Sequence, residues 1–415
     1  MLRKSDCAEF KGPVIYLSEL RAAKVQGIRV AGITGARITI IVSALGAGGT
    51  EHVVSLVASH WARLGCTVTV ITLEAPTSEP YYRLDPRVTI ERLDVPVQKA
   101  GKLRAAWLVA RRLYRLRSTI SRTRPDFVLS FLTRTNVLTL LATRGLRLPV
   151  IVSERNNPAV QPFGPFWKWL QLRLYPRAFA LVTMTKGALD YFPPNVRRSS
   201  RVIANAINLP DGWQKKRGNN VLTAVGRLTE QKGFDLLLEA FAKVASDHPE
   251  WKLVIWGEGE ARKALEAQRN ALGLADRVEM PGVTAKPGLW VETADLFVLS
   301  SRYEGWGIAL LEAMAAGLPV VSFACEWGPT DMIANGDDGI LVENGDINAL
   351  AEALSNLMGD ETLRARLAAN AEANVRRYDA EHILSQWDAV ALAAREHTAG
   401  DKTEILRRAP LRLDA

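Results

Sequence analysis

Short apolar runs alternate with longer amphipathic stretches through most of this chain. The runs at 37–43, 66–73, 126–131, 149–153, 181–184 and 201–204 read as buried strands, with helices at 50–64 and 103–121 among them. A polar interval at 208–220, with Pro, Gly and Lys, interrupts the pattern. The alternation then restarts, with strands at 221–225, 253–256, 277–280, 296–299 and 319–323. Helices are predicted at 234–245, 308–316, 348–358, 361–376 and 380–396. Apolar strands joined by helical patterns argue for βαβ units. The fold class is therefore α/β with two Rossmann-like domains, at 37–207 and 221–378, joined by a linker at 208–220. A last helix occupies 379–397, 1–36 is a weakly patterned extension open to disorder, and 398–415 reads as a disordered tail.

Size and composition agree with this division. A chain of 415 residues is too long for one compact core, and 48% hydrophobic residues suffice for two. No apolar run approaches the roughly 18 residues of a membrane span. The first 36 residues lack the apolar centre of a signal peptide. Cys7, Cys66 and Cys325 have no metal or redox spacing, which suggests reduced thiols and a cytoplasmic setting. The formal net charge of +9 is uneven: nine basic residues and no acid fall between Lys99 and Arg124. An amphipathic helix there carries Arg104, Arg111, Arg112 and Arg115, with Leu103, Trp107, Ala110, Leu113, Tyr114 and Ile120 as its apolar side. The stretch 163–177 mixes Phe163, Phe166, Trp167 and Trp169 with Lys168, Arg173 and Arg177. Together they predict contact with an anionic membrane surface. No nucleic-acid-binding motif accompanies them.

The candidate chemistry centres on 294–317. A buried strand there ends in a polar loop holding Glu304, Gly305, Trp306 and Gly307, and a helix follows with Ile308 and Glu312, stopped by Gly317. Ligands bind beyond the carboxyl ends of such strands. Bare backbone N–H groups near Gly305 and Gly307 and the helix N-terminus favour a phosphate. Two carboxylates flank that site, and carboxylates repel phosphate, so they should face hydroxyl groups. A ligand with phosphates in the middle and hydroxyl-rich rings at each end fits, and a nucleotide-sugar is such a ligand. On the loop after strand 221–225, Arg227 and Lys232 are cations five apart that suit a diphosphate.

The run E-G-W-G-x-A-L-L-E resembles the E-x7-E signature of retaining family-four glycosyltransferases, which have the GT-B fold. That resemblance implies two Rossmann-like domains facing across a cleft, with the last helix crossing back to the first. It implies a sugar transfer from a UDP- or GDP-linked donor to an acceptor hydroxyl, with retention and without a metal or other cofactor. It assigns Arg227 and Lys232 to the diphosphate, Glu304 to the donor sugar, Glu312 to the ribose, and Gly282 and Val283 to the segment meeting the nucleobase. It places the Gly48, Gly49, Thr50 and Glu51 loop at the cleft floor, towards donor phosphate or acceptor. The run Ser153-Glu154-Arg155-Asn156-Asn157-Pro158 is similar to a subset that builds lipid-linked oligosaccharides, with Arg155 for an acceptor phosphate and Asn156 for a sugar hydroxyl. A loop held by an internal Glu154–Arg155 network is the alternative there. Many relatives carry a histidine near 133–136, where this chain has none; Asn136 is the candidate acceptor contact. Asp331 stands where the family's G-P-x-E turn has the longer acid. The expected acceptor is a polyprenyl-diphosphate-linked or oligosaccharide glycan in polysaccharide or lipopolysaccharide synthesis, met at the inner membrane face. The alternatives are a GT-B nucleotide-sugar epimerase and a non-catalytic polyanion-binding protein.

Overall fold

The computed structural model describes residues 32–95, 102–160, 164–197, 199–207, 209, 212–216 and 218–399, except the side chains of 102–106 and 399. The extension before residue 32, the tail from 400, and Phe163 lie outside the described residues, as does the side chain of Arg104.

Seven strands form the first sheet: β1 (Arg37–Ile41), β2 (Thr67–Thr72), β3 (Thr89–Arg92), β4 (Phe127–Phe131), β5 (Val150–Ser153), β6 (Ala180–Thr183) and β7 (Ser200–Val202). All pair in parallel, in the order β3-β2-β1-β4-β5-β6-β7. The second sheet holds β8 (Val221–Val225), β9 (Lys252–Trp256), β10 (Val278–Gly282), β11 (Leu296–Leu299), β12 (Val320–Phe323) and β13 (Ile340–Val342), again parallel, in the order β10-β9-β8-β11-β12-β13. Edge strands β3 and β13 were not expected: β3, TIER, mixes polar and apolar residues, and β13, ILV, is only three residues long. Each order reverses once, between β1 and β4 and between β8 and β11. Such a reversal opens a crevice at the carboxyl ends of the two strands beside it.

Helices beside these sheets position the site. In the first domain α1 (Gly49–Arg63) follows β1, while α2 (Lys102–Thr123), α3 (Thr133–Ala142) and α4 (Pro165–Leu174) make the layer leading into β4, β5 and β6. Residues 133–136, expected only to follow the strand, open α3, which packs between α2 and α4. Its sequence, TRTNVLTLLA, is rich in β-branched residues of modest helix propensity, so burial decides its state. In the second domain α5 (Phe234–Val244) follows β8 and α6 (Ile308–Ala315) follows β11.

The last helix, α7 (Ala380–Ala399), returns to the first domain and enters two residues into the stretch read as tail. Ile383, Leu384, Trp387, Val390, Ala391 and Ala394 join the core around β1 and β4. Buried Asp388 accepts the Trp61 indole N–H at 2.9 Å and lies 3.0 Å from His60 Nε2. A buried carboxylate is tolerated because neighbouring groups bond it.

Candidate active site

The two reversal points face each other, and their loops enclose a cleft of about 620 Å³. From the first domain come Gly48, Gly49, Thr50 and Glu51 after β1, and Arg155 and Asn156 after β5. From the second come Arg227 and Lys232 after β8, Val283 after β10, and Glu304, Gly305, Trp306, Gly307, Ile308 and Glu312 after β11. Gly282 itself is buried one residue behind the lining, where its carbonyl accepts the Gly257 N–H at 2.8 Å.

Lys232 and Glu304 meet directly. Lys232 Nζ donates to Glu304 Oε1 at 2.5 Å, and the Ser301 hydroxyl donates to the same oxygen at 2.6 Å. Gly233, with φ 60°, turns the chain into α5 and leaves the Lys232 stem lying over Gly226. Glu304 therefore does not present an uncompensated charge to a phosphate. Arg227 faces Glu51 across the cleft; burial pushes the Glu51 carboxyl up, partly offset by Arg227. The structure thus brings Arg227, Lys232, Glu304 and Glu312 into one cleft with Glu51 from the loop expected at its floor.

The α6 start needs glycine for two reasons. Gly307 has φ 97°, which L side chains rarely adopt. At Gly305 a Cβ would stand 2.9 Å from both the Arg155 carbonyl oxygen and Asn156 Cα of the other domain. The helix ends as expected at Gly317, φ 61°: its N–H reaches the Met314 carbonyl while Leu318 N–H reaches Ala313.

Glu312 sits at the far end of the cleft, where its carboxyl accepts from the Trp290 side chain and burial pushes it up to about 8. The folded protein thus holds a proton that the unfolded chain releases near 4.5. Stability from this group is complete below that value and is lost as pH rises towards 8. Glu312→Gln is expected to match the wild type in thermal melting at pH 5 and to exceed it at pH 8, by roughly 1–4 kcal/mol. Parallel pH profiles would contradict this.

The Ser153–Pro158 loop corrects two expectations. Glu154 and Arg155 bond different partners. Glu154 is fully buried and accepts from Thr133 Oγ1 at 2.8 Å, from Gln171 Nε2 at 3.2 Å and from the Tyr175 hydroxyl. The Arg155 guanidinium donates to the Asn205 side chain and to the Ile203 carbonyl at 3.3 Å, so its partners are neutral. Burial draws Arg155 down to about 9. Asn136 does not reach the cleft: it is fully buried, and its Nδ2 donates to the Ser153 carbonyl at 3.0 Å and to the Tyr175 oxygen at 3.1 Å. It supports the loop from below. Asp331 closes its own turn by accepting the Gly328 N–H at 2.8 Å. No histidine lines the cleft among the described residues. His52 lies buried in α1, its ring 5.1 Å from that of Tyr82, and burial and Arg155 pull it down to about 4.

The sequence reading missed Tyr81, Tyr82, Asn205 and Trp290, all of which line the cleft. Two adjacent tyrosines in the polar stretch SEPYYR were the one signal available.

The basic helix is also corrected. Its inner face is Leu108, Arg112, Leu116, Thr119 and Ile120. Arg112 is buried, and its Nε donates to the Val95 carbonyl at 3.0 Å, so it is no surface contact. Trp107 and Tyr114 point outward instead, 59% and 76% exposed, alongside Arg115 and with Arg111 stacked on Trp107 at 5.6 Å. On α4, Phe166 and Trp169 are exposed and stacked at 6.4 Å, while Trp167 is half-buried under Arg134. No helix among the described residues is long and apolar enough to cross a membrane.

Comparison with known proteins follows the same division. Residues 48–206 match the family described as Glycosyl transferase 4-like domain, and residues 207–374 match Glycosyl transferases group 1. The chain is 30% identical over 372 residues to an exopolysaccharide phosphotransferase of Streptomyces coelicolor, with 82% of this chain but 39% of that protein covered. It is 27% identical over 363 residues to the Campylobacter jejuni GalNAc-alpha-(1->4)-GalNAc-alpha-(1->3)-diNAcBac-PP-undecaprenol alpha-1,4-N-acetyl-D-galactosaminyltransferase, covering 85% of this chain and 97% of that one. Among solved structures, Anabaena HepE in complex with UDP and glucose superposes with a TM-score of 0.70 at 20% identity, over 85% of this chain and 98% of that one. That likeness shows the fold.

Proposed function

The chain belongs to the group 1 glycosyl transferases, and from that premise we propose that it moves a sugar from a UDP- or GDP-linked donor to a hydroxyl of a polyprenyl-diphosphate-linked glycan, with retention. The observation that carries this reading is the Lys232–Glu304 pair set beside Arg227 and the α6 start, with Glu312 at the other end of the same cleft.

In this reading the donor diphosphate lies against Arg227, Lys232 and the N-terminus of α6. The bond from the sugar carbon to the diphosphate oxygen breaks, and negative charge develops on that oxygen. Cations held in advance stabilise such charge without reorganising, so the reading calls for no metal. Glu304 holds the donor sugar hydroxyls and Glu312 the ribose hydroxyls. With no histidine in the lining, the leaving phosphate takes the acceptor proton during attack from the same face. Arg155, buried with neutral partners, is the group for an acceptor phosphate, because guanidinium matches phosphate geometry. Asn156 and Thr50 lie within the same cleft for the acceptor sugar. The name of the Campylobacter relative, which acts on a PP-undecaprenol-linked glycan, supports that acceptor class.

The test is a thermal-shift series with UDP- and GDP-sugars, followed by transfer to a polyprenyl-diphosphate glycan with the product anomer read by NMR. One nucleotide series should stabilise the chain, and the product should keep the donor configuration. Donor turnover into another nucleotide-sugar without acceptor would instead make it an epimerase.

A lipid-linked acceptor implies docking at the inner membrane face. Trp107, Tyr114, Phe166 and Trp169 supply exposed aromatic area, and Arg111 and Arg115 supply charge. Each cation near an anionic surface contributes about 1 kcal/mol. Arg111→Glu with Arg115→Glu is therefore expected to weaken sedimentation with anionic vesicles by at least tenfold at low salt. Unchanged sedimentation would remove this surface from the reading.

A further inference from the structure

The segment between β2 and β3 reaches from the first domain to the second. Its backbone is tied to the turn after β1, because the Tyr81 N–H donates to the Leu45 carbonyl at 2.9 Å. The Tyr81 hydroxyl then crosses the cleft, donating to the Thr284 carbonyl at 3.1 Å and lying 3.1 Å from Thr284 Oγ1. Thr284 stands just past β10, and lines the cleft with Trp290 and Glu312. Behind Tyr81, the Tyr82 ring packs edge-on at 5.0 Å, and the His52 ring backs Tyr82 from inside α1. The loop is thus held by a backbone bond on one side and a stack of rings on the other. Glu312 lines the same cleft, and burial, with the Glu312 charge as a lesser cause, raises both tyrosine hydroxyls.

We propose that Tyr81 is a positioning residue that latches the first domain onto Thr284, so that Tyr81 and Tyr82 wall the nucleoside end of the donor site. This rests on the nucleotide-sugar reading and extends it, since the nucleoside is then enclosed by both domains. The default expectation for two domains joined by a linker is relative motion. A single neutral hydrogen bond shifts such an open–closed balance by about two- to tenfold. Closing the nucleoside end also excludes water from the reacting diphosphate.

The experiment compares full-length wild type with Tyr81→Phe, which keeps the ring and removes the hydroxyl. Dyes at Ser118→Cys and Lys263→Cys, both exposed sites, report domain separation in a Cys7→Ser background; Cys66 and Cys325 are buried. Without nucleotide, the variant should show an open fraction two- to tenfold above wild type. With UDP or GDP as probe, its affinity should weaken only as far as the closed fraction falls, and donor hydrolysis should rise relative to transfer. The melting temperature should stay unchanged. An unchanged open fraction in a normally melting variant overturns the latch. If neither nucleotide binds the wild type, the donor reading fails, while the ligand-free open fraction still decides the latch.

Discussion

Lys232→Ala is expected to lower kcat/KM by roughly 10²–10³, the loss seen when one preorganised charge-stabilising donor is removed. Lys232 also neutralises Glu304, 2.5 Å away and largely buried, so the single variant confounds two roles. Removing one partner of a buried pair leaves the other uncompensated. The double variant Lys232→Ala with Glu304→Gln separates them. If Lys232 only balances Glu304, the second change restores stability and most of the turnover. If Lys232 carries phosphate charge, turnover stays low and the two losses combine. Steady-state kinetics with melting curves on all three variants measure this. Recovery in the double variant would assign Lys232 a structural role.

Gly305→Ala is the second large effect. Its Cβ would meet Met184 Cε at 2.8 Å, which can swing aside, but also the Arg155 carbonyl and Asn156 Cα at 2.9 Å. Those backbone atoms cannot yield easily. Glu154 ties the loop to α3 and α4, while Arg155 ties it to Ile203 and Asn205. Relief comes only from opening the cleft, and a misplacement of about 1 Å between reacting groups costs about 10² in rate. We expect kcat to fall at least that far, with UDP or GDP affinity falling by a smaller factor and melting nearly unchanged. Turnover within threefold of wild type would show that the domains do not approach this closely at work.

Which helix face turns inward was not legible in the basic helix. Trp107 and Tyr114 read as its core side, yet the structure buries Arg112 and exposes both aromatics. Periodicity gives a repeat but not which stripe meets the sheet. Here α3 and the chain just past β3 decide it, because Arg112 Nε finds the Val95 carbonyl and Leu108 and Leu116 are buried on the same face. Asn136 failed for a related reason. A polar residue after a strand looks like a ligand contact until the helix it belongs to is seen to be packed between two others.

By itself the sequence determined two α/β domains, most of their strands in chain order though not edge strands β3 and β13 or helix α3, and the glycine-flanked loop carrying Glu304 and Glu312. These are local properties: apolar runs, a helix stop at Gly317, backbone turns that only glycine accepts. Tertiary structure alone decided which residues meet across the cleft. Lys232 against Glu304, Gly305 against Arg155, and Tyr81 against Thr284 join positions 72, 150 and 203 apart. Such contacts arise when two separately folded sheets dock, and no stretch of chain carries a signal for its distant partner.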